Sequence, residues 1–169
     1  MRLVCFDTQI VIWGIQGNAS STQQYMVPRT KNFLRYLTGQ KTKVLIPSVV
    51  LAEFLLGIPS DMHANVVAYF QNTFIVAPFD VNAAAIYAQV WRENKESQVY
   101  QTLREDDVRK TEISFDNQIV AIALARRATT IYSHDPHLKR FAGERIEVCE
   151  VPDILMQLEL GLEDTPDYE

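Results

Sequence analysis

Four carboxylates, Asp7, Glu53, Asp116 and Asp135, lie far apart in the chain, each at a place where an acid can do chemistry. Asp7 directly follows the apolar run Leu3, Val4, Cys5, Phe6, and Asp135 follows Thr129 to Tyr132 after Ser133 and His134. Asp116 opens a stretch with Ile119, Ile122 and Ala123 on one helical face, and Glu53 interrupts the apolar run from Val49 to Leu56. For Asp7, Asp116 and Asp135 the simple alternative is helix capping, since an acid at a helix start accepts from unpaired amides for about 1 kcal/mol. Asp135 before Pro136 is a good cap signal. Glu53 cannot be a cap, and no lysine or arginine lies at helical spacing to pair with it. Its alternative is a narrow exposed stripe on an otherwise apolar helix, because burying an unpaired carboxylate is strongly unfavourable. If the four acids meet they repel one another, and a hard divalent cation relieves the conflict. Oxygen donors without a cysteine or histidine cluster suit magnesium or manganese better than zinc.

The elements that must position these acids alternate along the chain. Strands are expected at Arg2 to Phe6, Lys43 to Ile46, Phe74 to Ala77, Thr129 to Tyr132 and Ile146 to Val151. Helices are expected from Thr8 to about Ile15, from Arg29 to Leu37, from Ser48 as cap through Leu56 with Gly57 as stop, and from Asp61 to Gln71. Further helices follow from Asp80 to about Arg92, Phe115 to Arg127, Pro136 to Phe141 and Asp153 to Leu160. The charged, weakly periodic stretch 93–112 reads as an inserted, exposed segment, and the acidic tail 163–169 as frayed. Such alternation predicts an α/β fold with a parallel sheet of about five strands covered on both faces, in a single domain over 1–169. Ligands bind such sheets outside the carboxyl ends of the strands, where Asp7 and Asp135 fall and where the helix carrying Asp116 begins.

Composition bounds the function. In 169 residues, 47% hydrophobic and 22% charged, there is enough apolar matter for one sizeable core, and disorder and a disulfide scaffold are excluded. The two cysteines, Cys5 and Cys149, sit in apolar stretches as small hydrophobes, which fits a reducing, cytoplasmic setting. No run has the form of a signal peptide or the length of a membrane span. Sixteen basic against twenty-one acidic residues leave a net charge of −5, so bulk charge offers nucleic acid no attraction and any polyanion must be held locally. The basic pairs Lys139 with Arg140 and Arg126 with Arg127 are candidates, the first being near Asp135; the alternative is ordinary solvated helix ends.

Several short motifs in this order resemble the PIN-domain nucleases. They are Asp7 with Thr8 after a strand, Glu53 in an apolar helix after Pro47 and Ser48, the segment Asp116 to Ala123, and Ser133, His134, Asp135 followed by Phe141. The resemblance covers about Met1 to Val151 and implies a three-layer α/β/α fold and metal-dependent cleavage of RNA. It implies that Asp7, Glu53, Asp116 and Asp135 are metal ligands or water-positioning acids, with Thr8 and Ser133 as hydroxyl neighbours. It further implies VapC-type toxins with antitoxin partners, and homodimers. The apolar residues Met62, Val66, Val67, Tyr69 and Phe70 add to the expectation of a homo-oligomer, although core packing explains them too.

Other enzymes fit less well. A haloacid-dehalogenase-type phosphatase needs a second acid two positions after the first, where Gln9 stands. A response-regulator receiver needs an aspartate after the third strand, where the chain reads Val76, Ala77, Pro78. His134 as a general base is displaced by the plainer reading of an exposed loop histidine. The rival from another class is a PIN-like fold kept as a silent binding or scaffold module.

Overall fold

A computed structural model describes residues 2–155. The strands are β1 (Leu3–Phe6), β2 (Lys43–Pro47), β3 (Ile75–Ala77), β4 (Thr130–Tyr132) and β5 (Glu147–Cys149). All pair in parallel, in the order β3-β2-β1-β4-β5, with Val4 opposite both Val44 and Thr130. The central strands bury both faces, as their unbroken apolar runs require: Val4, Cys5, Leu45 and Ile131 are all but inaccessible. Each such side chain contributes about 1.5–3 kcal/mol relative to exposure.

Helices cover the sheet in three α/β/α layers: α1 (Thr8–Val11), α2 (Met26–Gly39), α3 (Ser48–Leu56), α4 (His63–Thr73), α5 (Val81–Glu96), α6 (Val99–Glu105), α7 (Lys110–Ala125) and α8 (Pro136–Ala142). From β1 the chain moves outward through β2 to β3, then crosses back to β4 on the other side of β1. The strand order therefore reverses between β1 and β4, and the crevice at their carboxyl ends is where an open α/β sheet binds its ligand.

Several sequence expectations are corrected. The stretch 93–112 is largely exposed, as expected, but it is mostly helical and anchored: Asn94 is buried and donates to the Phe141 carbonyl at 2.9 Å, and Leu103 and Val108 enter the core. Its apolar residues are too widely spaced among charges to show as a period. The helix expected from Phe115 starts at Lys110, so Asp116 lies in its second turn and cannot cap it. Ser48 does not cap α3 either; Pro47 is still paired with Ala77 in the sheet, so the chain passes from ladder to helix directly and Ser48 is already helical. The first helix widens into a π-turn over Ile12–Gln16, closed by Gly17 at φ +71°, and Trp13 there is fully buried. Phe70 belongs to the core and does not add to an apolar surface. The expectations for 156–160 and 163–169 lie outside the described residues.

Candidate active site

The chain brings all four predicted acids to one place. Asp7, Glu53, Asp116 and Asp135 line a single cavity of about 600 Å³ at the carboxyl edge of the sheet, together with Thr8 and Glu112. Asp7 leaves β1 and also caps α1, its Oδ1 accepting from the Thr8 amide at 2.6 Å. Its Oδ2 accepts from the Ser133 hydroxyl at 2.7 Å, and the Ser133 oxygen in turn accepts from the Asp135 amide at 3.0 Å. Asp135 caps α8 by accepting from the His137 amide at 2.7 Å. The capping and site readings of Asp7 and Asp135 are thus not alternatives, because the same carboxylate lies at a helix start and at the cavity wall.

Thr8 ties two acids together. Buried itself, it donates its hydroxyl to Glu53 Oε2 at 2.6 Å while its amide holds Asp7. Glu53 lies on an exposed stripe of α3 with Ala52 and Leu56, as the alternative reading had it, and its side chain nevertheless reaches the cavity. Glu112 was not foreseen. It stands four residues before Asp116, hence on the same face of α7, and it is held by the guanidinium of Arg109 at 2.5–2.8 Å. That spacing was the available signal, hidden within the charged stretch.

Asp116 differs from the others. It is 8% exposed, and among the described residues its side chain makes no hydrogen bond and has no basic partner. Burial, then the charges of Asp135, Asp7, Glu112 and Glu53, push its pKa to about 8. Burial also raises Asp7, but the Ser133 and Thr8 hydrogen bonds oppose it and the value reaches only about 6. Among the described residues no three His, Cys, Asp or Glu side chains are arranged to hold a metal ion as they stand. Their chemistry nevertheless fits a hard cation: all donors are oxygen, and Asp116 has no positive charge beside it.

The predicted basic residues fare differently. Arg140 is paired with Asp106, and Arg126 with Asp80 at 2.7 Å. Lys139 is exposed and lines a second cavity beside the first. No helix among the described residues is long and apolar enough to cross a membrane.

A parallel sheet in this order, layered by helices and with its acids at the reversal point, defines a PIN-like fold. The chain is similar in fold to solved VapBC structures. One is VapBC2 from Rickettsia felis bound to a DNA fragment from their promoter, at TM-score 0.60 and 17% identity over 89% of this chain and 99% of that one. Another is DNA-bound VapBC from Salmonella typhimurium, at 0.60 and 18% over 90% and 100%. A third is VapBC-1 from nontypeable Haemophilus influenzae, at 0.57 and 13% over 88% and 97%. At these identities the likeness is one of fold. No family model matches the chain, and no curated protein matches it in sequence.

Proposed function

We propose that the chain is a divalent-metal-dependent endoribonuclease hydrolysing RNA phosphodiester bonds, and the toxin of a toxin-antitoxin pair. The observation that carries this reading is Asp116, a buried carboxylate without hydrogen bond or counter-charge, facing the cavity that Asp7, Glu53 and Asp135 also line. The likeness to chains of VapBC toxin-antitoxin structures supports the toxin reading and the antitoxin partner.

Asp7 and Asp116 would hold magnesium or manganese directly, and Glu53 and Asp135 would hold it directly or through water. When bound, such an ion supplies an activated water and stabilises the oxygens of an in-line displacement at phosphorus. The protein's own part is positioning. Thr8 holds Asp7 and Glu53 in fixed relation, and Ser133 fixes Asp7 against the loop that carries Asp135. Asp116 keeps a proton at neutral pH while it faces only other acids, and ligation requires that proton to leave. Thr8 and Ser133 also stand close enough to the acids to meet the substrate. Products with a 5′-phosphate and a 3′-hydroxyl follow from the PIN resemblance. The exposed Leu56, Met62 and Tyr69 supply an apolar surface for a homo-oligomer.

The test is cleavage of RNA by the purified chain with magnesium or manganese, its loss with a chelator, and its loss in Asp7→Asn and Asp116→Asn. A silent PIN-like module is the second reading, favoured by the lack of a ready-made three-ligand group among the described residues. Calorimetric titration with magnesium chloride separates the two: a silent module takes up no ion at millimolar concentration and cuts no RNA.

A further inference from the structure

A second cavity, of about 470 Å³, adjoins the acid-lined one and is lined by Ser133, Lys139, Val148, Cys149 and Glu150. His134, Asp135 and Pro136 line both cavities and so form the wall between them. The two compartments differ in charge. The first is lined by five acids and by no lysine or arginine, whereas the second sets Lys139 beside Asp135 and Glu150, and Lys139 has no ion pair among the described residues and is exposed. Its volume lies in the range of small-ligand sites, roughly 300–1,000 Å³. The shared wall is also incompletely satisfied: the buried His134 Nδ1 has no hydrogen-bond partner and lies 3.6 Å from a carboxylate oxygen of Glu150, too far for a good bond.

We propose that this cavity is a nucleotide subsite, occupied by the residue of a single-stranded RNA next to the scissile phosphate; this rests on the ribonuclease reading of the acidic cavity. A strand whose phosphate lies against the acids and their cation crosses the His134–Pro136 wall and enters the second compartment. Lys139 then neutralises the next phosphate, as an ammonium does where a backbone is gripped without sequence readout. Val148, Cys149 and Pro136 give the sugar and base an apolar wall. Glu150, its side chain 65% exposed at the rim, only accepts hydrogen bonds when ionised. It therefore suits the exocyclic amino group of cytosine and disfavours the carbonyl that uracil presents in its place.

Cys149 provides a direct reporter, because it lines this cavity and is partly accessible whereas Cys5 is fully buried. The experiment uses the wild-type full chain with calcium, a hard cation of like oxygen preference, in place of magnesium, and with oligocytidylate and oligouridylate of about twelve nucleotides, a length that spans a typical single-strand site. Binding is followed by fluorescence anisotropy and Cys149 alkylation by mass spectrometry. The expected result is tighter binding of oligocytidylate, at least about threefold slower Cys149 alkylation when it is bound, and a narrowed cytidine preference in Glu150→Gln. Lys139→Gln should weaken binding and reduce the salt slope by about 0.7, the value for one phosphate contact on a single strand. Oligocytidylate that binds without protecting Cys149, or a salt slope unchanged in Lys139→Gln, overturns the subsite while wild-type RNA cleavage leaves the ribonuclease reading standing. Protection by DNA oligonucleotides equal to that by RNA overturns the RNA assignment. A wild type that neither cuts nor binds RNA overturns the ribonuclease reading first, and the subsite with it.

Discussion

Replacing Asp116 by asparagine should stabilise the protein, and by an amount that depends on pH in a defined way. The unfolded chain ionises Asp116 near 3.8, whereas in the fold burial and four neighbouring acids hold the proton until about pH 8. Between those values the folded state binds more protons than the unfolded state, so stability falls as pH rises through this window. The loss is about 1.4 kcal/mol per pH unit, or about 4 kcal/mol accumulated by pH 7. Below pH 4 the group is neutral in both states and contributes nothing to the slope. Above pH 8 it is ionised in both, and the penalty levels off. Asparagine cannot ionise, so the advantage of Asp116→Asn over wild type should be smallest near pH 4, reach about 4 kcal/mol by pH 7, and flatten only above about pH 8. Urea unfolding of both proteins at pH 4, 5, 6, 7 and 8, in the presence of a chelator, measures this. A difference that changes by less than about 1 kcal/mol between pH 4 and 7 would refute the claim that Asp116 is buried without compensation.

Magnesium at a hundred times its dissociation constant should stabilise the wild type by about 2.7 kcal/mol, and both Asp7→Asn and Asp116→Asn by much less; equal shifts in thermal melts remove the metal-site claim. Asp7→Asn and Asp116→Asn should both reduce RNA cleavage to background while circular dichroism shows the fold intact. Thr8→Val removes the hydroxyl bond to Glu53, worth about 1.5–3 kcal/mol when the acceptor is charged, and should slow cleavage because Glu53 is no longer held; unchanged turnover shows that Glu53 needs no such support. The homo-oligomer is checked by light scattering, where a protomer mass at all concentrations refutes it, and Leu56→Glu should shift the equilibrium toward the protomer.

The strands were legible to within a residue or two because a central strand buried on both faces is an unbroken apolar run, and Val4 to Phe6 or Val44 to Ile46 cannot be solvated. The positions of Asp7 and Asp135 were legible for the same reason, since Asp7 directly follows such a run and Asp135 follows one after Ser133 and His134. What failed lay where charge and burial mix. The first turns of α7 carry Lys110 and Glu112, and α6 carries Arg104 and Glu105, so helices that bury only Leu103 or Ile113 were indistinguishable from a solvated insertion. Missing the start of α7 misplaced Asp116 at a helix terminus and hid Glu112 altogether. For Glu53 the sequence left a site role and an exposed stripe as alternatives, and they were not exclusive: α3 leaves Leu56 87% exposed, so apolarity there does not mean burial, while Glu53 still lines the cavity.

The three aspartates show how one fold gives the same side chain different readiness for a cation. Asp7 and Asp135 are held by amides at helix starts, and Asp7 also by a hydroxyl, so folding itself supplies donors to their oxygens. Asp116, one turn further into its helix than an acid can use as a cap, receives no donor, because the amides around it are already committed to the helix ladder. Its orientation toward the cavity is therefore set by the helix alone, and its charge is left to whatever enters the cavity. A lysine or arginine there would have settled the electrostatics permanently. The chain instead commits its nearby cations elsewhere, Arg109 to Glu112 and Arg140 to Asp106, and leaves the carboxylate without a counter-charge, which on the proposed reading an ion would supply in exchange for the proton. Structural stability would be served by pairing Asp116, so the unpaired acid makes physical sense as a group kept for an exchangeable cation.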